Sequence, residues 1–220
     1  MHKTVKNLLN ISEKVKLKFD ATKNLTQLPN IIAVSKTFKI DHILPLIKHG
    51  HLHYGENKVQ EAIEKWTEIR KSNQNIKLHL IGRLQTNKVK FAVKFFDYIH
   101  SLDSKKLADK ISKFQTELNV KTKLFIQVNI GDEEQKSGIA KENVLDFFKY
   151  CRNLNLNIIG LMCIPPINKD TKKYFQELLI LNKKLDLKEL SMGMSSDYLD
   201  ATEYSATFLR IGSNIFGQRD

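Results

Sequence analysis

The feature that most constrains the fold is a regular alternation, along 220 residues, of short apolar runs with amphipathic segments. These runs carry apolar residues on both faces of the expected strand, which is typical of strands buried in a parallel sheet. We predict eight strands, in residues 31–36, 51–55, 77–82, 98–102, 123–129, 158–164, 189–194 and 208–212.

The segments between these runs carry apolar residues at helical spacing, as Val59, Ala62, Ile63 and Trp66 illustrate. Alternating strands and helices favour a parallel sheet, and eight such units favour closure into a barrel. The sequence therefore predicts an α/β fold with one domain of residues 1–220. We expect a single (β/α)8 barrel of the TIM type in residues 31–217, preceded by an extra helix in residues 1–24. The other helices are predicted in residues 41–49, 58–70, 86–96, 104–118, 141–152 and 171–185.

The net charge of +12 raises the question of a nucleic-acid partner, since the chain has 36 basic and 24 acidic residues. Almost all of the basic residues are lysines, and they are dispersed along the whole chain. Readers of nucleic acid rely on arginine for bidentate contacts and concentrate their charge in one patch. The composition therefore predicts no nucleic-acid partner.

The chain has no apolar run long enough for a membrane span, and its first residues lack the apolar stretch of a secretory signal. Its two cysteines, Cys151 and Cys163, lie far apart and suggest neither a disulfide framework nor a CxxC metal site. We expect a cytoplasmic monomer without a membrane partner.

Chemistry in such a barrel is expected where strands end, because active sites lie at the carboxyl ends of the strands. The first strand ends at Lys36, which is either a lysine reaching out of a strand end or a nucleophile able to form a Schiff base. The second strand is followed by Asn57, whose amide both donates and accepts hydrogen bonds. A simple capped turn explains Asn57 equally well at this stage.

Arg210 stands among apolar residues of the last strand, where a guanidinium needs an anion or several hydrogen bonds. Its partner is a carboxylate such as Asp197 or Glu203, or a phosphate. We favour the phosphate, because the loops after strands seven and eight form the recurrent phosphate site of these barrels.

Three residues of those two loops are candidate phosphate ligands. Ser195 follows strand seven, and Gly212 and Ser213 follow strand eight. Backbone N–H groups at the start of a helix, together with hydroxyls, stabilise an anion.

A metal site is not predicted. His49, His51 and His53 alternate along the chain, so at least two of them share a strand face. No further residue has convincing spacing for the third ligand that a metal would need. The dinucleotide, Walker A, GxSxG and HExxH patterns are absent as well.

Ordered blocks of sequence resemble those of a known family, the pyridoxal phosphate homeostasis proteins, whose fold is the fold-type-III, alanine-racemase-like barrel. The resemblance runs from about residue 31 to the end of the chain. The blocks are residues 33–37, 54–57, 79–88, 127–130, 136–138, 160–162, 190–195, 210–213 and 215–217.

This resemblance implies a cofactor, pyridoxal 5′-phosphate (PLP), held as a Schiff base on Lys36. It places Ser195, Gly212 and Ser213 in the phosphate loops and Asn57 beside the cofactor. It puts Arg210 near the phosphate or near the pyridine nitrogen.

The resemblance implies intracellular PLP homeostasis rather than catalysis, with PLP-dependent apo-enzymes as partners and no catalytic residues. The alternative is a racemase-like enzyme of amino-acid chemistry. The racemases of this fold add a second domain that supplies an opposing tyrosine, and this chain ends at Asp220. Tyr54 or His79 would have to replace that tyrosine.

Overall fold

A closed ring of parallel strands forms the centre of the computed structural model, which describes residues 1–23, 25–133, 135–166 and 169–217. The first strand pairs with both the second and the last, and the ring is completed where the fourth strand pairs with the fifth. The strands are β1 Asn30–Val34, β2 His53–Glu56, β3 Lys77–Leu80, β4 Tyr98–Leu102, β5 Lys123–Asn129, β6 Ile139–Ala140, β7 Ile158–Cys163, β8 Glu189–Ser191 and β9 Phe208–Ile211.

The ring confirms the predicted (β/α)8 barrel, since each of the eight predicted runs overlaps one of its strands. The remaining strand, β6, was not predicted. It is two residues long and pairs with the end of β5 at Val128 and Asn129, outside the ring. A pair of residues is too short to show any period in the sequence.

Helices surround the ring, and two short 3-10 turns, Thr86–Lys88 and Lys141–Asn143, precede the helices that begin at Val89 and Val144. None of the described helices is both long and apolar enough to cross a membrane. The helices are α1 Lys3–Ala21, α2 Ile40–Lys48, α3 Val59–Ser72, α4 Val89–Phe95, α5 Lys105–Leu118, α6 Val144–Asn153, α7 Thr171–Lys184, α8 Tyr198–Glu203 and α9 Ser213–Phe216.

The N-terminal helix α1 ends at Ala21, three residues before the predicted end at position 24, which lies outside the described residues. It buries Val5, Leu8, Ile11 and Val15, and it packs against α2, α8 and α9. The short helices α8 and α9 were missed, because six and four residues carry too little periodicity to be recognised.

Alternation along the strands divides the core into two layers. In β1, Ile31 and Ala33 belong to the large layer between strands and helices, whereas Ile32 faces the barrel interior. The interior layer also contains Phe125 and Phe208 and is closely packed. The barrel is therefore a filled core, and ligands are confined to its ends.

Candidate functional site

A cavity of about 720 Å³ opens at the carboxyl ends of the strands. Its volume lies in the range of small-molecule sites. All six residues predicted as cofactor ligands line it: Lys36, Asn57, Ser195, Arg210, Gly212 and Ser213. The barrel thus brings together residues that are spread over most of the sequence.

Lys36 lies on a sharp turn directly after β1. The preceding Ser35 is buried, and its N–H donates to the carbonyl of Gly55 on β2 at 3.0 Å. The following Thr37 has φ of 69°, a left-handed conformation that is uncommon for a residue with a side chain. The turn is therefore fixed on both sides of the half-buried lysine.

A buried carboxylate, Glu56, supports this turn from behind. Its Oε1 accepts hydrogen bonds from the Ser35 hydroxyl at 2.7 Å, from Lys65 Nζ at 3.0 Å and from Trp66 Nε1 at 2.9 Å. Lys65 also donates to the Ser35 carbonyl at 2.9 Å. A buried ion pair is stable only when further hydrogen bonds satisfy it, and here they join β1, β2 and α3 immediately beneath Lys36.

Asn57 follows β2 and is held close to the end of β3. A Cβ added at Gly82 would lie 2.3 Å from the Asn57 carbonyl oxygen, so position 82 has room for glycine alone. Gly82 and Arg83 also line the cavity, although the sequence analysis did not name them as site residues. The signal was available, because both come at the end of a predicted strand.

The loops after β8 and β9 are joined to each other across the cavity rim. Asn214 Nδ2 donates to the Ser195 carbonyl at 2.8 Å, and the Asn214 N–H lies 3.5 Å from the Ser195 hydroxyl. Within the described part of the chain, the N–H groups of Ser195, Ser196 and Ser213 have no protein acceptor. Three N–H groups and several hydroxyls therefore remain for an anionic ligand.

Arg210 is buried in β9, with 5% of its surface exposed. Its Nη1 donates to the Ser191 hydroxyl at 2.7 Å and its Nη2 to the Cys163 carbonyl at 2.8 Å. Among the residues that the structure describes, it forms no ion pair with a carboxylate. The two carboxylates considered from the sequence have other partners, because Asp197 accepts from the Met194 N–H and Glu203 pairs with Lys18.

Asp197 nevertheless lies near enough to influence the site. Burial raises the pKa of Asp197, while the Met194 N–H and the Arg210 charge oppose that rise. When Asp197 is ionised, the Met194 N–H and the Arg210 charge both stabilise it.

Neither Tyr54 nor His79, the two possible substitutes for a second acid or base, lines the cavity. The Tyr54 ring packs against Trp66, with 4.7 Å between ring centroids. His79 is fully buried in the barrel, and its two ring nitrogens contact His53 and His100.

The described residues contain no group of three side chains arranged to hold a metal ion. His51 contacts the His53 carbonyl at 2.9 Å, and His49 is exposed.

Comparison with known proteins was made on the sequence and on the fold. Residues 13–220 match the family model described as alanine racemase, N-terminal domain. A pyridoxal phosphate homeostasis protein of Aquifex aeolicus is 40% identical over 199 residues, which cover 86% of each chain. The chain belongs to the pyridoxal phosphate homeostasis protein family. The resemblance seen in the sequence motifs is thus confirmed.

Two further relatives of this family span most of the chain. The human pyridoxal phosphate homeostasis protein is 37% identical over 212 residues, covering 87% of this chain and 77% of the human one. A solved structure of PipY from Synechococcus elongatus PCC7942 with PLP bound is 33% identical. It superimposes with a TM-score of 0.82 over 94% of this chain and 100% of that one.

Proposed function

We propose that this chain binds PLP in the cavity at the barrel mouth, holds it as a Schiff base on Lys36, and passes it to PLP-dependent apo-enzymes. The observation that carries the proposal is that Lys36 and the two anion-binding loops line one cavity. The name of the relatives and the PLP bound to PipY support the same cofactor.

The residues present fit this cofactor. When bound, PLP supplies an aldehyde that condenses with an amine, and Lys36 is the only lysine among the described residues that line the cavity. The unpaired N–H groups of Ser195, Ser196 and Ser213 suit a phosphate, which accepts several hydrogen bonds at once. Asn57 lines the cavity after β2, the neighbour of β1 on the side away from β9.

We assign Arg210 to the ring side of the cofactor rather than to its phosphate. Its guanidinium is bonded to Ser191 and Cys163, at the ends of β8 and β7, and not to the loops that carry Ser195 and Ser213. It therefore presents positive charge from the cavity floor, where a ring nitrogen can accept a hydrogen bond.

The cavity also supports a carrier rather than an enzyme. Racemisation needs a proton donor or acceptor on each face of the cofactor. Lys36 can serve one of these faces. The described residues lining the cavity include no tyrosine, histidine, cysteine, aspartate or glutamate that could serve the other. The second face therefore has no suitable group among the described residues that line the cavity.

We accordingly expect no appreciable racemisation of alanine or other common amino acids by the PLP-loaded protein. The assay follows α-proton exchange in deuterated water and optical rotation across a panel of amino acids. Turnover within the ordinary enzymatic range, about 1–1000 per second, would replace the carrier proposal with the racemase alternative.

Arg210→Ala and Ser195→Ala are each expected to weaken PLP binding. A hydrogen bond to a charged group contributes about 1.5–3 kcal/mol, which corresponds to roughly ten- to a hundred-fold in affinity. Equilibrium dialysis measures the dissociation constants, and circular dichroism checks that each variant is folded. Ser72→Ala, at an exposed position in α3, is the control and should bind normally. Unchanged dissociation constants for Ser195→Ala would show that the phosphate lies elsewhere.

A further inference from the structure

A line of polar side chains crosses the barrel interior, where close-packed branched apolar residues are usual. His53 of β2, His79 of β3, His100 of β4, Ser191 of β8 and Arg210 of β9 come from five different strands. His79, His100 and Ser191 are completely buried. Buried polar groups are destabilising unless each is hydrogen-bonded, so this line calls for an explanation.

The line is continuous. Arg210 Nη1 donates to the Ser191 hydroxyl at 2.7 Å, and the Ser191 Oγ lies 2.8 Å from His100 Nδ1. His100 Nε2 lies 3.0 Å from His79 Nδ1, and His79 Nε2 lies 2.9 Å from His53 Nδ1. All four distances are those of normal hydrogen bonds.

The chemistry of the groups gives the line a direction. A guanidinium can only donate, so the Ser191 oxygen accepts from Arg210 and its single hydrogen is directed to His100 Nδ1. His100 then donates from Nε2 to His79, and His79 donates from Nε2 to His53. In the opposite direction, Ser191 would accept two hydrogen bonds and its own hydrogen would have no acceptor within the line.

The two ends of the line lie at opposite ends of the barrel. Arg210 lines the cavity proposed for PLP. His53 is the first residue of β2 and lines a surface depression of about 320 Å³ beside α1. Each group of the line presents its acceptor atom towards Arg210 and its donor away from Arg210. The aligned dipoles therefore stabilise the buried cation.

We propose that His53, His79, His100 and Ser191 are positioning residues for Arg210, forming a one-way hydrogen-bond relay that couples the PLP cavity to protonation at the other end of the barrel. The proposal rests on the proposed PLP site. A carboxylate partner would neutralise Arg210, whereas the neutral relay fixes its orientation and leaves its positive charge available to the ligand.

Burial first, and then neighbouring charges, lower the pKa values of the relay's three histidines. Burial is the main cause that lowers the pKa of His53, with Lys77 and Lys123 lowering it further and Asp97 opposing them. Burial also lowers the pKa of His79, with smaller effects of His51, His53, His100 and Lys123. His100 is shifted in the same direction by burial and then by Arg210.

Acid is expected to break the relay at its outer end. Protonated His53 carries hydrogens on both ring nitrogens, and its Nδ1–H would then face the Nε2–H of His79 across 2.9 Å. The relay must reverse or separate there. Either change alters the hydrogen bond that Ser191 makes with His100 and, through it, the orientation of Arg210.

The first test needs no cofactor. Long-range ¹H–¹⁵N spectra of the protein without PLP, assigned through single histidine variants, give the tautomer of each imidazole. We expect Nε2–H tautomers for His53, His79 and His100 at neutral pH, and a mixture at His79 and His100 in Ser191→Ala. An Nδ1–H tautomer at His79 or His100 in the unaltered protein would overturn the relay.

The second test measures PLP affinity between pH 8 and pH 5 in the full-length protein and in Ser191→Ala and His79→Phe. Phenylalanine retains the stacking of residue 79 on Tyr98, whose ring centroid is 4.2 Å away. At neutral pH we expect the dissociation constant of both variants to be roughly tenfold larger, a loss of about 1.4 kcal/mol in binding free energy. As the pH falls, the PLP affinity of the unaltered protein should decrease by more than the affinity of either variant.

His51→Phe is the matched control, because His51 is a half-buried imidazole beside His53 but lies outside the relay. All of these proteins keep Lys36 and the loops that carry Ser195 and Ser213, so the difference between them isolates the relay. Equal affinities and equal pH profiles would refute the relay while leaving the PLP site intact. Failure of every protein to bind PLP would refute the proposed function, and the tautomers would still decide the relay.

Discussion

Lys36→Ala is expected to lose all covalent attachment of PLP and the visible absorption that accompanies it. Lys36 is the only lysine among the described residues that line the cavity, so its removal leaves no described amine in the cavity wall. The side chain is half-buried at a strand end rather than in the core, and the variant should fold normally. Absorption spectra recorded during titration with PLP measure the loss.

Lys39→Ala provides the matched control for this experiment, because Lys39 is an exposed lysine three residues further along the same loop. It should retain the spectrum of the unaltered protein. Undiminished absorption in Lys36→Ala would mean that another lysine carries the cofactor, and the proposed site would be wrong.

Stability is expected to fall steeply as the pH is lowered from about 6.5 towards 4. Burial lowers the pKa of His51 to about 4, and the pKa values of His53, His79 and His100 are lowered in the same way. In the unfolded chain these histidines have pKa values near 6.5. Below that pH the unfolded state therefore binds more protons, and the free energy of unfolding decreases.

The size of the expected effect is given by the slope of the free energy of unfolding against pH. Each histidine that takes up a proton only on unfolding adds about 1.4 kcal/mol per pH unit. The contribution is fully present above pH 6.5 and is lost as the pH approaches the folded-state values. Urea unfolding at pH 8, 7, 6 and 5 measures it, and His79→Phe should reduce the slope by about one proton. A free energy of unfolding that stays constant from pH 7 to pH 5 would contradict these assignments.

The barrel itself was predictable because buried strands and amphipathic helices leave local periodic signals. Lys36 and Asn57 were found by the same logic, since Lys36 ends the first predicted strand and Asn57 lies two residues after the second. The structure places both of them at the cavity, together with Ser195, Arg210 and Ser213.

Contacts between distant strands were beyond local reasoning. The sequence shows His51 and His53 as an alternating pair, but the partner of the His53 ring is His79, which lies 26 residues away. Arg210 was expected to meet a carboxylate or a phosphate, and within the protein its guanidinium donates to Ser191 and to a carbonyl. Glu56 was overlooked for the same reason, because its hydrogen bonds join three separate elements.

Reduction with borohydride, followed by peptide mass mapping, tests the central claim most directly. Borohydride converts a Schiff base into a stable secondary amine, so the attachment site survives digestion. We predict that the unaltered protein incubated with PLP carries the phosphopyridoxyl group on the peptide that contains Lys36. Label on other lysines alone, or no label at PLP concentrations that saturate other PLP-binding proteins, would contradict the account.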